Sequence, residues 1–218
     1  MNRPAEPGPS RSPVTADDVD HAVHLAVDTL AQAPPDSWDA KAGSLEWDCR
    51  ETVDHTVQAL FSYAVQLGPR TPPVEGKVPL SRTASRPGGP ANALHADREA
   101  GAAGLLQVWE AVGALVAAMV RTAPPHKRAY HVYGVSDPEG FAAMAVVETL
   151  VHAHDVAEGL GVEWDPPADL CARALARLFP GAPESTDPWP TLLWATGRTG
   201  LAGRPRLTEW RWHGEPRE

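Results

Sequence analysis

Glu148 and His152 lie four residues apart in the run Ala142 to Ala153, which is otherwise almost wholly apolar (Met144, Val146, Val147, Leu150, Val151). On a helix that spacing puts a carboxylate and an imidazole on one buried face. An unpaired carboxylate in apolar surroundings either takes up a proton or finds a cation, and a divalent metal bound by Glu and His satisfies both side chains together. The pair reads as two-thirds of a metal site, with a plain buried hydrogen-bonded pair as the other reading. A third ligand has to come from another helix, and His55 is the candidate. Ligands of this nitrogen and oxygen type suit zinc, and are also compatible with nickel, iron or manganese.

The elements that must carry these residues are legible from caps and periodicity. Thr15 to Asp18 is a capping-type start, and Val19, Val23, Leu25, Val27 and Leu30 follow until Pro34 and Pro35 stop the first helix. Asp48 with Glu51 starts a second, with Val53, Val57, Leu60, Ala64 and Leu67 as its apolar stripe up to Gly68. That stripe puts His55 on the opposite face with Ala59, Ser62 and Gln66, in a small polar groove. A long helix is expected from about Asp97 to Thr122, ended by Pro124 and Pro125. Asp137 and Pro138 begin the helix that carries Glu148 and His152, with Gly159 and Gly161 beyond its end.

The expected fold is all-α: a bundle of four helices over residues 15–161 with one long crossing connection. That connection, Pro69 to Asn92, holds six prolines and no sustained periodicity, and reads as a crossover or a mobile lid. Residues 1–14, rich in Pro, Arg and Ser, read as a disordered tail. Residues 162–218 read as a short C-terminal extension packed on the bundle. It has one helix begun by Asp165, Pro166 and Pro167, another begun by Asp187 and Pro188, and a possible strand from Leu207 to His213.

Composition narrows the partners. A net charge of -9 disfavours a phosphate-backbone partner, so nucleic acid is excluded. Two cysteines, Cys49 and Cys171, make no disulfide framework and fit a reducing cytosol. No signal peptide and no run of about 18 apolar residues is apparent, so the expectation is a cytoplasmic monomer or homodimer with no membrane partner.

The segments LEWDCRETVDH, from Leu45 to His55, and ETLVHAHD, from Glu148 to Asp155, resemble the DinB-like metalloprotein superfamily. The likeness is nearest to its mycothiol-dependent maleylpyruvate isomerase branch and covers roughly residues 15 to 160. The resemblance implies a DinB-like four-helix bundle holding a divalent metal, usually zinc, through His55, Glu148 and His152. It also implies mycothiol as a thiol cosubstrate: a thiol at the open coordination position is deprotonated at neutral pH and becomes a nucleophile. The partners are then a small thiol and an electrophilic substrate, and the activity is that of a thiol transferase or isomerase. The alternative is a non-catalytic metal-binding or ligand-binding stress or regulatory module.

Two departures separate the chain from a true maleylpyruvate isomerase. That enzyme has a sizeable C-terminal domain with a substrate-binding arginine, whereas here only the segment Leu193 to Gly200 matches the family's terminal helix. Met144 and Ala145 also stand just before Glu148, where many relatives have an arginine.

Several further side chains have two readings each. Arg198 is a candidate for binding a substrate carboxylate, or it caps its helix. Asp155 orients a ligand, or serves the helix end. His154 points to another face and is left out of the site, as is Cys49, whose expected place is in small-residue packing. Trp189, Trp194, Trp210 and Trp212 roof a pocket or, by default, pack the extension onto the bundle. Tyr130, His131 and Tyr133, on the loop before the fourth helix, reach the metal mouth or, by default, pack on the surface.

Overall fold

Each major helix begins where the sequence supplies a cap. The computed structural model describes residues 11–217, of which half are helical. The helices are α1 (Ala16–Leu30), α2 (Cys49–Leu67), α3 (Gly101–Thr122), α4 (Pro138–Leu160), α5 (Ala168–Leu178) and α6 (Pro188–Ala195). Thr15 and Asp48 form reciprocal capping boxes with Asp18 and Glu51, satisfying amides that the first turns of α1 and α2 would leave unpaired. Asp137 caps α4 ahead of Pro138, and Gly161 ends that helix in the left-handed conformation (φ 68°).

Both α1 and α2 pack on α3 and on α4, and α5 covers the far side of α4. Contacted by all of these, α4 has no solvent stripe: Phe141 through Val147 are all buried. Glu148 and His152 sit on this innermost helix, which fixes them in place. Gly159 is inside α4, not beyond its end. A Cβ there would lie 2.4 Å from the Lys41 carbonyl oxygen and 2.6 Å from Cys49 Sγ, so the missing side chain lets α4 approach the segment leading into α2.

The segment joining α2 to α3 runs along α2 as a wall. Its two short strands, β1 (Thr83–Ala84) and β2 (Ala91–Asn92), pair antiparallel. The Gln66 amide holds the carbonyls of Pro73 and Gly76 and the N–H of Val78, while Gln58 Oε1 accepts from the N–H groups of Ala93 and Leu94. Arg86 forms a two-pronged ion pair with Glu51 at the other end of α2.

Other expectations need correction. The tail boundary is too late: Val14 is buried and Arg11 pairs with Glu139, while residues 1–10 lie outside the described residues. Helix three is preceded by a 3-10 turn, Arg98–Ala100, before Gly101. By length and mean composition Arg98–Thr122 is apolar enough to cross a membrane, although Gln107 and Glu110 interrupt its apolar run and its Leu105, Trp109 and Val116 face is packed in the core.

Leu207 to His213 joins no strand. The segment bends at Thr208 and Glu209, and its end bonds to separate places: the His213 N–H donates to the Leu178 carbonyl and the following Gly214 N–H to that of Tyr133. The fully buried Arg177 guanidinium donates to the His213 and Gly214 carbonyls and to Asp137, tying the C-terminal segment to the start of α4.

Candidate metal centre

The structure brings His55, Glu148 and His152 together, with one ligand atom from each lying within 4.8 Å of the others. His55 comes from the second turn of α2, on the polar side of its apolar stripe, and Glu148 and His152 from successive turns of α4. The His152 Nε2 to Glu148 Oε2 distance is 3.3 Å. That equals the edge of a tetrahedron around an ion with bonds of about 2.0–2.1 Å, roughly 3.3 Å, so the α4 pair has the separation such an ion requires. The imidazoles of His55 and His152 stand edge-on, with ring centroids 5.2 Å apart, and Trp47 packs on His55 at 4.7 Å. Among the described residues this is the one group of three or more His, Cys, Asp or Glu side chains arranged to hold a metal.

The surrounding electrostatics prepare the donors. Burial lowers the His55 pKa to about 4 despite the nearby Glu148 charge, so its lone pair is available at neutral pH. Burial works against an ionised Glu148, but hydrogen bonds and charge from His152, the proximity of His55 and the Tyr63 hydroxyl together hold its carboxyl at about 2. Tyr63 donates to Glu148 Oε1 at 3.1 Å, leaving Oε2 for His152. Burial also opposes charge on His152, yet Asp155 and Glu148 raise its pKa.

Asp155 takes the orienting role. Its Oδ2 lies 3.0 Å from His152 Nδ1, which directs Nε2 toward Glu148. Arg198 donates to the same Asp155 oxygen at 2.8 Å and to the Thr196 carbonyl. The guanidinium thus engages Asp155 and the carbonyl at the end of α6, as the helix-cap reading expects, and is not among the residues lining the cavity.

A cavity of about 480 Å³ opens over the ligands, with His55, Tyr63 and Glu148 in its wall. Tyr130, His131, Tyr133, Trp210 and Trp212 also line it, so of the two readings of the three loop residues the default, surface packing, gives way to a place at the cavity. The C-terminal segment does roof the pocket through Trp210 and Trp212. Trp189 instead packs on His154, and the indole of Trp194 donates to the Pro205 carbonyl. Cys49 is fully buried and donates to the Val156 carbonyl, its thiol pushed up to about 12 by burial, so it is no nucleophile.

Sequence reasoning missed Tyr63, Trp47, Gln58, Lys77 and Arg82, all of which line the cavity. Tyr63 was within reach, since it follows His55 by two turns on the same side of α2. Nothing local marks Lys77 or Arg82, because long-range hydrogen bonds place them. No protein-family model, curated protein or solved structure matches the chain.

Proposed function

We propose that the protein is a metal-dependent, mycothiol-using thiol transferase or isomerase acting on a small electrophile, built on a DinB-like four-helix bundle. The observation that carries this reading is the convergence of His55, Glu148 and His152, with His55 and Glu148 standing in the wall of a cavity of a size suited to a small ligand. A zinc ion held by these three would supply the Lewis acidity that keeps a thiol deprotonated at neutral pH.

The chain's own residues do the positioning. Asp155, backed by Arg198, fixes the direction in which His152 presents Nε2, and Tyr63 fixes the Glu148 carboxylate. Tyr133, Trp210 and Trp212 give the cavity aromatic walls on which a substrate's carbon skeleton can lie. The sulfur bonds to an electrophilic carbon as the substrate's π bond breaks and that electron pair takes up the proton the thiol gave up; at a halogenated carbon the carbon–halogen bond breaks and halide leaves.

The test has two arms. Cobalt-substituted protein should gain a sulfur-to-cobalt charge-transfer band when mycothiol is added, and zinc-loaded protein should accelerate mycothiol addition to a panel of unsaturated and halogenated electrophiles. Absence of both effects in protein that binds one equivalent of metal rules the proposal out.

A further inference from the structure

Two cations face the cavity with no acid of their own. Arg11, Arg86, Arg121, Arg173, Arg177 and Arg198 all pair with carboxylates. Lys77 and Arg82, both in the cavity lining, make no ion pair among the described residues. Both are exposed residues at the cavity's rim, close enough that the Lys77 pKa, lowered by desolvation, is lowered further by the charge of Arg82. In a chain of net charge -9, two neighbouring unpaired cations over one cavity are a local reversal of sign.

Their placement is built, not incidental. Gln58, Ser62 and Gln66 recur every four residues along α2 and form a polar ladder beneath the connecting segment. Gln66 grips the backbone at Gly76 and Val78, on either side of Lys77. Ser62 Oγ accepts from Arg82 at 2.9 Å and from Gln58 Nε2 at 2.7 Å. Gln58 and Gln66 are buried, so slack in this ladder would leave amide groups unpaired away from water. The aromatic side chains Tyr130, Tyr133 and Trp212 line the same chamber and offer apolar faces.

We infer that Lys77 and Arg82 form an anion subsite, and that the small electrophile taken by this cavity carries a carboxylate on an apolar or aromatic body. This inference names the substrate class for the site proposed above and rests on that reading for the word electrophile. A carboxylate would receive charge-assisted hydrogen bonds from both cations while its carbon skeleton lies against the aromatic wall.

Calorimetric titration of the full chain with trans-cinnamate and with its methyl ester tests this. Chelator is present throughout, so that a metal cannot hold the carboxylate. The acid should bind at least about tenfold more tightly than the ester, as expected for a charge-assisted pair. In K77Q/R82Q that ratio should fall to about one, since the apolar contacts alone remain. Zinc stoichiometry should be unchanged in the double variant, because it leaves His55, Glu148 and His152 in place.

Wild-type protein provides a second measurement that needs no variant: raising the salt concentration should weaken cinnamate binding and leave ester binding unchanged. Equal affinity for acid and ester, a preference that survives K77Q/R82Q, or salt-independent acid binding each overturns the inference. A protein that prefers the acid yet fails to bind zinc supports this subsite while removing the metal-thiol reading.

Discussion

Arg198 donates to Asp155 at 2.8 Å across 43 residues of sequence, and the same Asp155 oxygen lies 3.0 Å from His152 Nδ1. An arginine beyond α6 therefore holds the carboxylate that aims an imidazole in the middle of α4. Asp155 is almost completely buried, and burial raises the cost of its charge. The hydrogen bonds from His152 and Arg198 outweigh that cost and hold its carboxyl at about 2.

Replacing Arg198 with Met, or Asp155 with Asn, should weaken zinc binding by about 10–100-fold, the usual effect of removing a group that orients a ligand. Competition with a chromophoric chelator measures this directly. Wild-type affinity in both variants would show that the relay has no bearing on the metal.

Substituting His152 by Ala should abolish stoichiometric metal binding while the far-ultraviolet dichroism stays helical. The core that surrounds α4 is apolar and independent of any ion, so chelation of the wild type should leave the helices intact as well. Unfolding on chelation contradicts this account.

Acid should destabilise the metal-free protein in two stages. Burial lowers the folded-state pKa of His131 to about 4 from 6.5. The unfolded chain thus takes up this proton first as pH falls, and stability is lost progressively between 6.5 and 4. His55 acts in the same direction over the same window, whereas the raised His152 opposes them. Below about 4.5, protonation of Glu148 and Asp155 in the unfolded chain adds further loss, since both carboxyls are held at about 2 when folded. Thermal melts across pH 7 to 4 should show a shallower decline for H131N, which carries no titrating ring but keeps an acceptor for the Tyr133 N–H. Parallel curves for the two proteins would refute the contribution of His131.

Gly159→Ala should cost about 1–3 kcal/mol by overpacking. The added methyl would gain up to about 1 kcal/mol of helix propensity. It would also meet the Lys41 carbonyl and Cys49 Sγ, and the backbone atom cannot rotate away. A melting temperature at or above that of the wild type would show that the segment before α2 yields easily.

Local chemistry made much of this legible beforehand. Thr15, Asp48, Asp137 and Asp187 each cap the helix that follows, because a cap is a contact within three residues. Glu148 and His152 announced themselves by polarity in an apolar run, and the face containing His55, Ala59, Ser62 and Gln66 does line the cavity. What failed to show was anything determined across distance. The Arg198 to Asp155 pair joins segments with no shared motif, and Tyr130, His131 and Tyr133 lie on a loop whose course depends on the Gly214 bond to Tyr133. Leu207 to His213 has the alternation of a strand, but its neighbouring backbone groups find partners on two unrelated elements instead of a ladder.

The amides of Gln58 and Gln66 grip main-chain atoms of the connecting segment and none of its side chains. Around Lys77 its path is therefore held through peptide groups, whereas Arg82 and Arg86 anchor it further along through their side chains. Lys77 and its neighbours can be exchanged like tiles on a fixed frame, which makes this stretch the natural place to retune what the chamber accepts without recasting the helices beneath it.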